Sequence, residues 1–561
     1  MKIKLLFLLV VCFHVLNPNV LLPEQPAIAT ALPLYTDSRW IVDESGKRVK
    51  LACANWVSHL QPVLAEGLNR QPLDVISKWI VSMGFNCIRL TWPLWVATND
   101  TLASLTVQQS FESLGLLESI GAIRVNNPSM LNLTIIQAFQ AVVSNLGKNG
   151  VMVIIDNHIS QPGWCCANRD GNGFFGDIYF DPDLWIKGLT RMATLFNGTS
   201  NVIGMSLRNE LRGPKQNVSV WYKNYYFSFL NVNSIITSSS FIRYMQQGAE
   251  AVHRANPDVL TILSGLDYDK DLHFLRNQPL NLSFTRKLVF ELHWYSFSDG
   301  DAWSTGNPNQ VCGRVVNALK DKILFVLDQG YPLFVSEFGI DLRGGSLADN
   351  RYSNCIFGVA AELDFDWALW AFMGSYYLRE GVMGLDEVYA VMNWGWSGPR
   401  NSTFLRRLSA LQSPFRGAGL DEVAPYQILY HPLTGLCVQR GSFKKPLDLK
   451  LGSCAESAQW MYTPEMTLAV NGTTVLCLQA DGLGRRAKLR GDCSSPATKW
   501  KPISDSRMHL STTLPTNSTA CLDIDSKNNI IASRCQCLWG DASCDPASQW
   551  FKIIYSTIRR Y

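Results

Sequence analysis

Between residues 49 and 374 the chain alternates short apolar runs with longer stretches of helical period. The runs cover 49–56, 87–93, 151–158, 202–210, 259–267, 288–295, 333–339 and 366–374, and they are rich in Val, Ile and Leu rather than alternating with polar residues. Near-continuous hydrophobic runs of this length suit strands buried on both faces, as in a parallel sheet. Eight of them with helix-length connections predict a (β/α)8 barrel in an α/β chain. A doubly wound open sheet is the alternative, but no Gly-rich phosphate fingerprint follows the first run.

Two stretches break the pattern. Residues 224–242 mix aromatics with Ser and Asn, lack a helical period, and separate Trp221-Tyr222-Lys223 from Arg243-Tyr244-Met245, which together read as one helix. They read as an inserted loop or as a segment left by incomplete splicing. Residues 411–425, with Ser413-Pro414 and Gly417-Ala-Gly419, read as a linker. Beyond it come short strands, turns and cysteines with a repeat: Leu436-Cys437-Val438 leads to Gln459-Trp460, Leu476-Cys477-Leu478 to Lys499-Trp500, and Ala520-Cys521-Leu522 to Gln549-Trp550. Units of this length, each closing on a tryptophan, predict a threefold all-β trefoil with its tryptophans in one shared core. The expected plan is a barrel over 31–412, a linker over 413–425 and a trefoil over 426–561.

The N-terminus adds a compartment. Lys2 and Lys4 precede an apolar run from Leu5 to Leu16, and Ala27, Ala29 and Ala31 offer cleavage sites, so residues 1–30 read as a secretory signal peptide. That run is short for a membrane span. Of 15 cysteines, Cys12 leaves with the leader, and the remaining even number fits an oxidising compartment. N-x-Ser/Thr acceptors at Asn99, Asn132, Asn197, Asn217, Asn281, Asn401, Asn471 and Asn517 agree with it. The expected location is extracellular or cell wall, with no membrane partner after cleavage. A net charge of +4 without a basic cluster argues against nucleic acid.

Chemistry gathers where the apolar runs end. Val202-Ile-Gly-Met-Ser-Leu closes on Arg208-Asn209-Glu210, and Leu333-Phe-Val-Ser closes on Glu337. α/β barrels keep their active sites at the C-terminal ends of strands, so two such glutamates predict paired carboxylates facing one site, the equipment of a glycoside hydrolase. Arg89, Asp156-Asn157-His158, His293-Trp294-Tyr295 and Trp370 stand at or near other strand ends. A purely structural explanation requires each of these polar groups to be satisfied separately. Asp267-Tyr-Asp269-Lys-Asp271 and Asp299-Gly-Asp301 lack a full metal-ligand set and read as surface or cleft-edge loops. Cys165-Cys166 reads as two cysteines belonging to separate disulfides. No Cys/His spacing makes a zinc site, and no G-x-S-x-G elbow is present. Neither a metal nor a cofactor is expected.

Residues from about 35 to 410 resemble glycoside hydrolase family 5, the cellulase family, at Arg89, His158, Asn209-Glu210, His293, Tyr295, Glu337 in Ser-Glu-Phe-Gly, and Trp370. Asp156-Asn-His-Ile-Ser-Gln-Pro-Gly-Trp-Cys-Cys166 is similar to a secreted plant branch of it. The resemblance implies a retaining mechanism with Glu210 as acid/base and Glu337 as nucleophile. It places Arg89, His158, Asn209, His293, Tyr295 and Trp370 as substrate-binding residues. Asn209 is then the partner of the sugar 2-hydroxyl, and Trp370 the floor under a pyranose ring. Residues 426–555 resemble a ricin B-type lectin, which implies bridges Cys437–Cys454 and Cys477–Cys493 and a sugar-binding aspartate for which Asp523 is the nearest match; Gln439 and Gln479 hold the equivalent places. The pairing among Cys521, Cys535, Cys537 and Cys544 stays open. The implied substrate is a cell-wall β-1,4-glucan or mannan. The alternatives are an exo-acting β-glucosidase or diglycosidase on small glycosides, and a catalytically dead carbohydrate-binding protein.

Overall fold

In a computed structural model, residues 32–221, 244–277, 280–441, 447–470 and 474–558 are described; the expected leader and the 224–242 insertion lie outside them. All eight apolar runs form parallel strands: β1 (Ala52–Trp56), β2 (Cys87–Pro93), β3 (Met152–Ile159), β4 (Val202–Ser206), β5 (Leu260–Leu263), β6 (Leu288–His293), β7 (Leu333–Phe338) and β8 (Asp366–Leu369). Each pairs with the next in sequence, and β8 returns to β1 through Trp367 opposite Ala52, closing the barrel. Three strands end well short of their apolar runs: β4 stops at Ser206, β5 at Leu263 and β8 at Leu369. Asn209 and Trp370 thus lie just past their strands, still tied to a neighbour by Asn209 N–H to Asn157 O (3.0 Å) and Trp370 N–H to Phe338 O (2.8 Å).

Strand periodicity sorts the barrel interior into layers. Cys53, Cys87, Ile154, Ile262, Val289, Phe334 and Ala368 form a dry apolar layer with the N-terminal residues Leu34, Ile41 and Leu51. Two residues further along, the same faces carry Asn55, Arg89, Asp156, Ser264, Glu291 and Ser336, all fully buried. Polar groups therefore begin one step above a greasy plug, and the next step is the mouth. Outside the strands pack amphipathic helices including α1 (Leu73–Ser82), α2 (Ile135–Lys148), α3 (Pro182–Leu195), α4 (Tyr244–Ala255), α5 (Pro308–Leu319) and α6 (Leu347–Leu363). In α2, Ile135, Ala138, Phe139, Val142, Val143 and Leu146 repeat at helical spacing and are all buried. A capping box between Thr134 and Gln137 fixes its start.

Residues 426–558 form an all-β region of an eight-stranded and a five-stranded antiparallel sheet. Cys437–Cys454, Cys477–Cys493 and Cys521–Cys535 take equivalent places in the three repeats, and Cys537–Cys544 closes a small extra loop. The tryptophans do not share one core. Trp460 and Trp500 lie in the centre of this region, whereas Trp550 belongs to the barrel's core cluster. Its indole donates to Oδ1 of Asn309 on α5 (2.9 Å), which also accepts from Ser506 Oγ (2.6 Å), while Asn309 Nδ2 donates to Cys537 O (2.6 Å). Close approach is possible because α5 and α6 present Gly313 and Gly358 here. A Cβ on Gly313 would stand 2.6 Å from the Asp505 backbone, and one on Gly358 would meet Met508. The third tryptophan has become the anchor that fastens the β region to the barrel.

Asn309→Ala leaves the buried Trp550 N–H without a partner, costing about 1–3 kcal/mol, and removes one of two donors to the Cys537 carbonyl, which keeps Asn307 Nδ2. Denaturant unfolding followed separately by near-ultraviolet dichroism and by hydrogen exchange of the two regions is expected to show a lowered midpoint. An unchanged midpoint would mean that Asn309 does not fasten the regions together.

Candidate active site

The mouth of the barrel is organised around one buried cation. Arg89 on β2 is fully buried, with Nη1 on Asn55 Oδ1 (3.0 Å) and Glu337 Oε1 (2.9 Å), and Nη2 on Asp156 Oδ1 (2.9 Å) and Asn209 Oδ1 (2.9 Å). Glu291 lies 3.5 Å away. These partners come from β1, β3, β6, β7 and the end of β4, so the fork of one guanidinium fixes side chains around most of the ring.

Glu337 closes β7, where a shift in register brings it opposite His293. Its Oε1 accepts from Arg89 and its Oε2 from the Tyr295 hydroxyl (2.9 Å). Glu210 follows β4 in a left-handed conformation (φ 46°), uncommon outside glycine and typical of strained functional positions. Its Oε1 meets His293 Nδ1 at 2.9 Å. An oxygen of Glu210, Nδ1 of His293 and an oxygen of Glu337 all lie within 4.8 Å of one another.

Burial pushes both glutamates up to about 7; His293 and Arg89 oppose this for Glu337, and Arg212 and Arg89 for Glu210. Two carboxyls this close titrate as a pair. Donors decide where the negative charge rests: Glu337 receives a charged guanidinium and a phenol, whereas Glu210 Oε1 faces only an imidazole kept largely neutral by burial. The anion therefore favours Glu337 and the retained proton Glu210.

The remaining sequence-derived residues converge here, with one exception. His158 on β3 gives Nδ1 to Asp156 Oδ2 (2.7 Å) and lies between His59 (ring centroids 4.0 Å) and Trp370 (5.6 Å) in near-parallel stacks. Burial and Arg89 hold His158 well below the usual histidine range, and burial does the same to His59, so the stack is of neutral rings. Asn209, its oxygen taken by Arg89, turns its amide towards Cys166 Sγ (3.4 Å). That sulfur belongs to a disulfide between Cys165 and Cys166, not to separate bridges, because Cys53 pairs with Cys87 and Cys312 with Cys355. The exception is Asp523, which lies in the β region. It is buried, accepting from Gln549 Nε2 (3.0 Å) with one oxygen and from the Ile524 N–H (2.7 Å) with the other.

Sequence reasoning missed several members. Asp269, read as part of a surface or cleft-edge loop, is fully buried and accepts the Glu210 N–H (2.9 Å). Glu291, buried on β6, takes the Ser206 hydroxyl (2.7 Å). It could have been found two residues before His293, on the same face of its strand. Phe297 stacks on Tyr295 (4.7 Å, 15° between planes) and is 63% exposed. Asp299, from the other acidic loop, is partly buried and accepts from the indoles of Trp294 and Trp303.

A closed parallel barrel with two adjoining carboxylates at its mouth defines the class, a glycoside hydrolase of the α/β-barrel type. Residues 44–375 match the family described as Cellulase (glycosyl hydrolase family 5). A "Glycosyl hydrolase 5 family protein" of Chamaecyparis obtusa is 43% identical over 544 residues, covering 93% of each chain. "Endoglucanase B" of Acetivibrio thermocellus is 21% identical over 364 residues, 56% of this chain and 59% of its own. Among solved structures, a cellulase–inhibitor complex (TM-score 0.52, 18% identity) and a Pyrococcus horikoshii endocellulase (TM-score 0.51, 19% identity) are each covered in full by 68% of this chain. The chain belongs to glycosyl hydrolase family 5.

Tyr295→Phe removes a donor that favours the ionised form of Glu337. Its acidic limb in a kcat/KM–pH profile on a chromogenic β-glycoside is expected to move to higher pH, by about one unit or less. A limb that stays in place contradicts the assignment of the anion to Glu337.

Proposed function

We propose that the chain is a secreted, retaining β-glycoside hydrolase of cell-wall β-1,4-glucan or mannan, with Glu337 as nucleophile and Glu210 as acid/base. The observation that carries this reading is the asymmetry of the pair: one carboxylate clamped by a cation and a phenol, the other within 4.8 Å of it and facing only an imidazole. That spacing suits direct attack rather than an intervening water, since inverting enzymes hold their carboxyls about 6.5–9.5 Å apart.

In the first step Glu337 attacks the anomeric carbon as Glu210 gives its proton to the departing oxygen, leaving a covalent glycosyl–enzyme ester. Glu210, now ionised, takes a proton from water, which attacks the same carbon and returns Glu337 as carboxylate. Asn209 is the proposed partner of the sugar 2-hydroxyl, its oxygen held by Arg89 and its amide facing only the weakly accepting sulfurs of Cys165 and Cys166, which a sugar hydroxyl can replace. Trp370, backed on one face by His158, is the proposed flat floor for a pyranose ring, and His293 orients Glu210. The similarity to Endoglucanase B favours a glucan.

Among the described residues no helix is long and apolar enough to cross a membrane. Secretion is supported by the leader pattern and by the seven disulfides among the described residues, as expected of an oxidising compartment. The β region is read as a ricin B-type trefoil, supported by its three equivalently placed bridges. Asp523 is its candidate sugar contact, with Gln549 holding the carboxylate in place.

Glu210→Ala and Glu337→Ala are each expected to lower turnover of a β-1,4-glucan by roughly 10²–10⁴-fold. Azide should rescue them differently: Glu210→Ala gives the β-glycosyl azide through the intact ester, and Glu337→Ala gives the α-glycosyl azide by direct attack. Reversed anomers, or turnover unaffected by either change, overturn the assignment. Release of only terminal sugars from small glycosides would favour the exo-acting alternative.

A further inference from the structure

Asp269 is fully buried beside both members of the Glu210–His293 pair and has no part in the reaction above. The chain reaches it through an uncommon turn. Asp267, Tyr268 and Asp269, just beyond β5, hold left-handed φ values of 54°, 57° and 60°. L-residues adopt such a conformation only under strain. Ties to the connection after β4 keep it: Tyr268 N–H to Leu211 O (3.0 Å), Asp267 N–H to Gln216 Oε1 (2.7 Å), and the Glu210 N–H to Asp269 Oδ2 (2.9 Å). The outcome is a carboxyl whose Oδ2 lies 3.6 Å from Nε2 of His293, while Nδ1 of the same ring is on Glu210.

Neither His293 Nε2 nor Asp269 Oδ1 has a hydrogen-bond partner among the described residues. Buried polar groups without partners need an explanation, and the 3.6 Å from Nε2 to Asp269 Oδ2, the oxygen that also accepts the Glu210 N–H, is a contact that a few tenths of an ångström would close when substrate fills the mouth. Accepting Glu210 as the acid/base, we propose that Asp269 is a positioning residue whose neutral carboxyl donates to Nε2 of His293, locking the imidazole as the Nδ1–H tautomer. Glu210 Oε1 can then only accept from His293, so the proton of Glu210 stays on Oε2 for the leaving oxygen. In the opposite tautomer a lone pair on Nδ1 would face Oε1 and draw that proton away from the substrate.

The surroundings favour this arrangement. Burial, with Glu291 and Glu210 close by, raises Asp269 well above the usual carboxylate range against the pull of Arg89, so it holds a proton to give. Burial lowers His293 although Glu337, Glu291 and Asp156 face it, and Arg89 adds to the lowering, so the ring is neutral and has a tautomer to choose.

The test uses the intact protein and two aryl β-cellobiosides, one with a 2,4-dinitrophenyl leaving group that needs no acid and one with an unsubstituted phenyl group that does. Asp269→Ala is expected to lower kcat/KM on the phenyl substrate by about 10–100-fold and on the dinitrophenyl substrate by less than about three-fold. Equal losses on both substrates, or no loss, would overturn the proposal. Glu210→Gln serves as the control: if it too lacks the leaving-group dependence, the acid/base assignment fails rather than the role of Asp269. Should the Ala variant not fold, ¹⁵N NMR of histidine-labelled wild-type protein, with His293 assigned by its Ala variant, reads the tautomer directly. A protonated Nδ1 is expected, and a protonated Nε2 overturns the proposal.

Discussion

A single guanidinium sealed inside the barrel is the constraint on which the site depends. Arg89 is dry, and its two terminal nitrogens hold Asn55, Asp156, Asn209 and Glu337 at 2.9–3.0 Å. Around it crowd more carboxyls than one positive charge can neutralise: Asp156, Glu291, Glu337 and, one layer out, Glu210 and Asp269. The surplus forces protons onto some of them at neutral pH, and burial raises Asp156 to about 6 despite its contact with Arg89. The cation thus selects which carboxyls stay ionised, favouring those it touches. Removing one partner from such a buried network costs about 3–5 kcal/mol, so the site's chemistry and the barrel's stability share the same residues.

Much of this was legible in the chain itself because it rests on periodicity. Doubly buried strands must be apolar, so polar residues at their ends stand out, and Glu210, Glu337, His293 and Arg89 were visible on those grounds. The hidden features depend on the path of the chain between strands. Asp269 sits in a left-handed turn that neither composition nor period announces, and Asp267-Tyr-Asp269 reads as an ordinary polar loop until the turn tucks its last carboxyl under Glu210. Cys165 and Cys166 could be read as belonging to separate bridges, because only the fold shows the other cysteines already matched. Trp550 closes the third repeat as Trp460 and Trp500 close the first two, and repetition cannot reveal that one copy faces a neighbouring surface.

That surface ties the two parts of the chain together. The loop closed by Cys537–Cys544 lies against the start of α5 through Asn307 and Asn309, and against Arg351 near the start of α6. The contacts run from Arg351 near the start of α6, through Gly358, to Glu362 near its end, which pairs with Lys552, so the β region lies along the flank of the barrel. An aromatic anchor, two helical glycines and a buried asparagine make this attachment specific rather than a loose tether.

The central claim is that Arg89 and Tyr295 hold Glu337 as the anion that bonds to sugar. The most direct measurement is incubation with 2,4-dinitrophenyl 2-deoxy-2-fluoro-β-cellobioside, whose ester to the nucleophile hydrolyses slowly, followed by peptide mass spectrometry. The account predicts a stoichiometric adduct on the peptide containing Leu333–Phe338, located at Glu337. An adduct on Glu210, or turnover of the reagent with no adduct under conditions where it accumulates on other retaining enzymes, would contradict it.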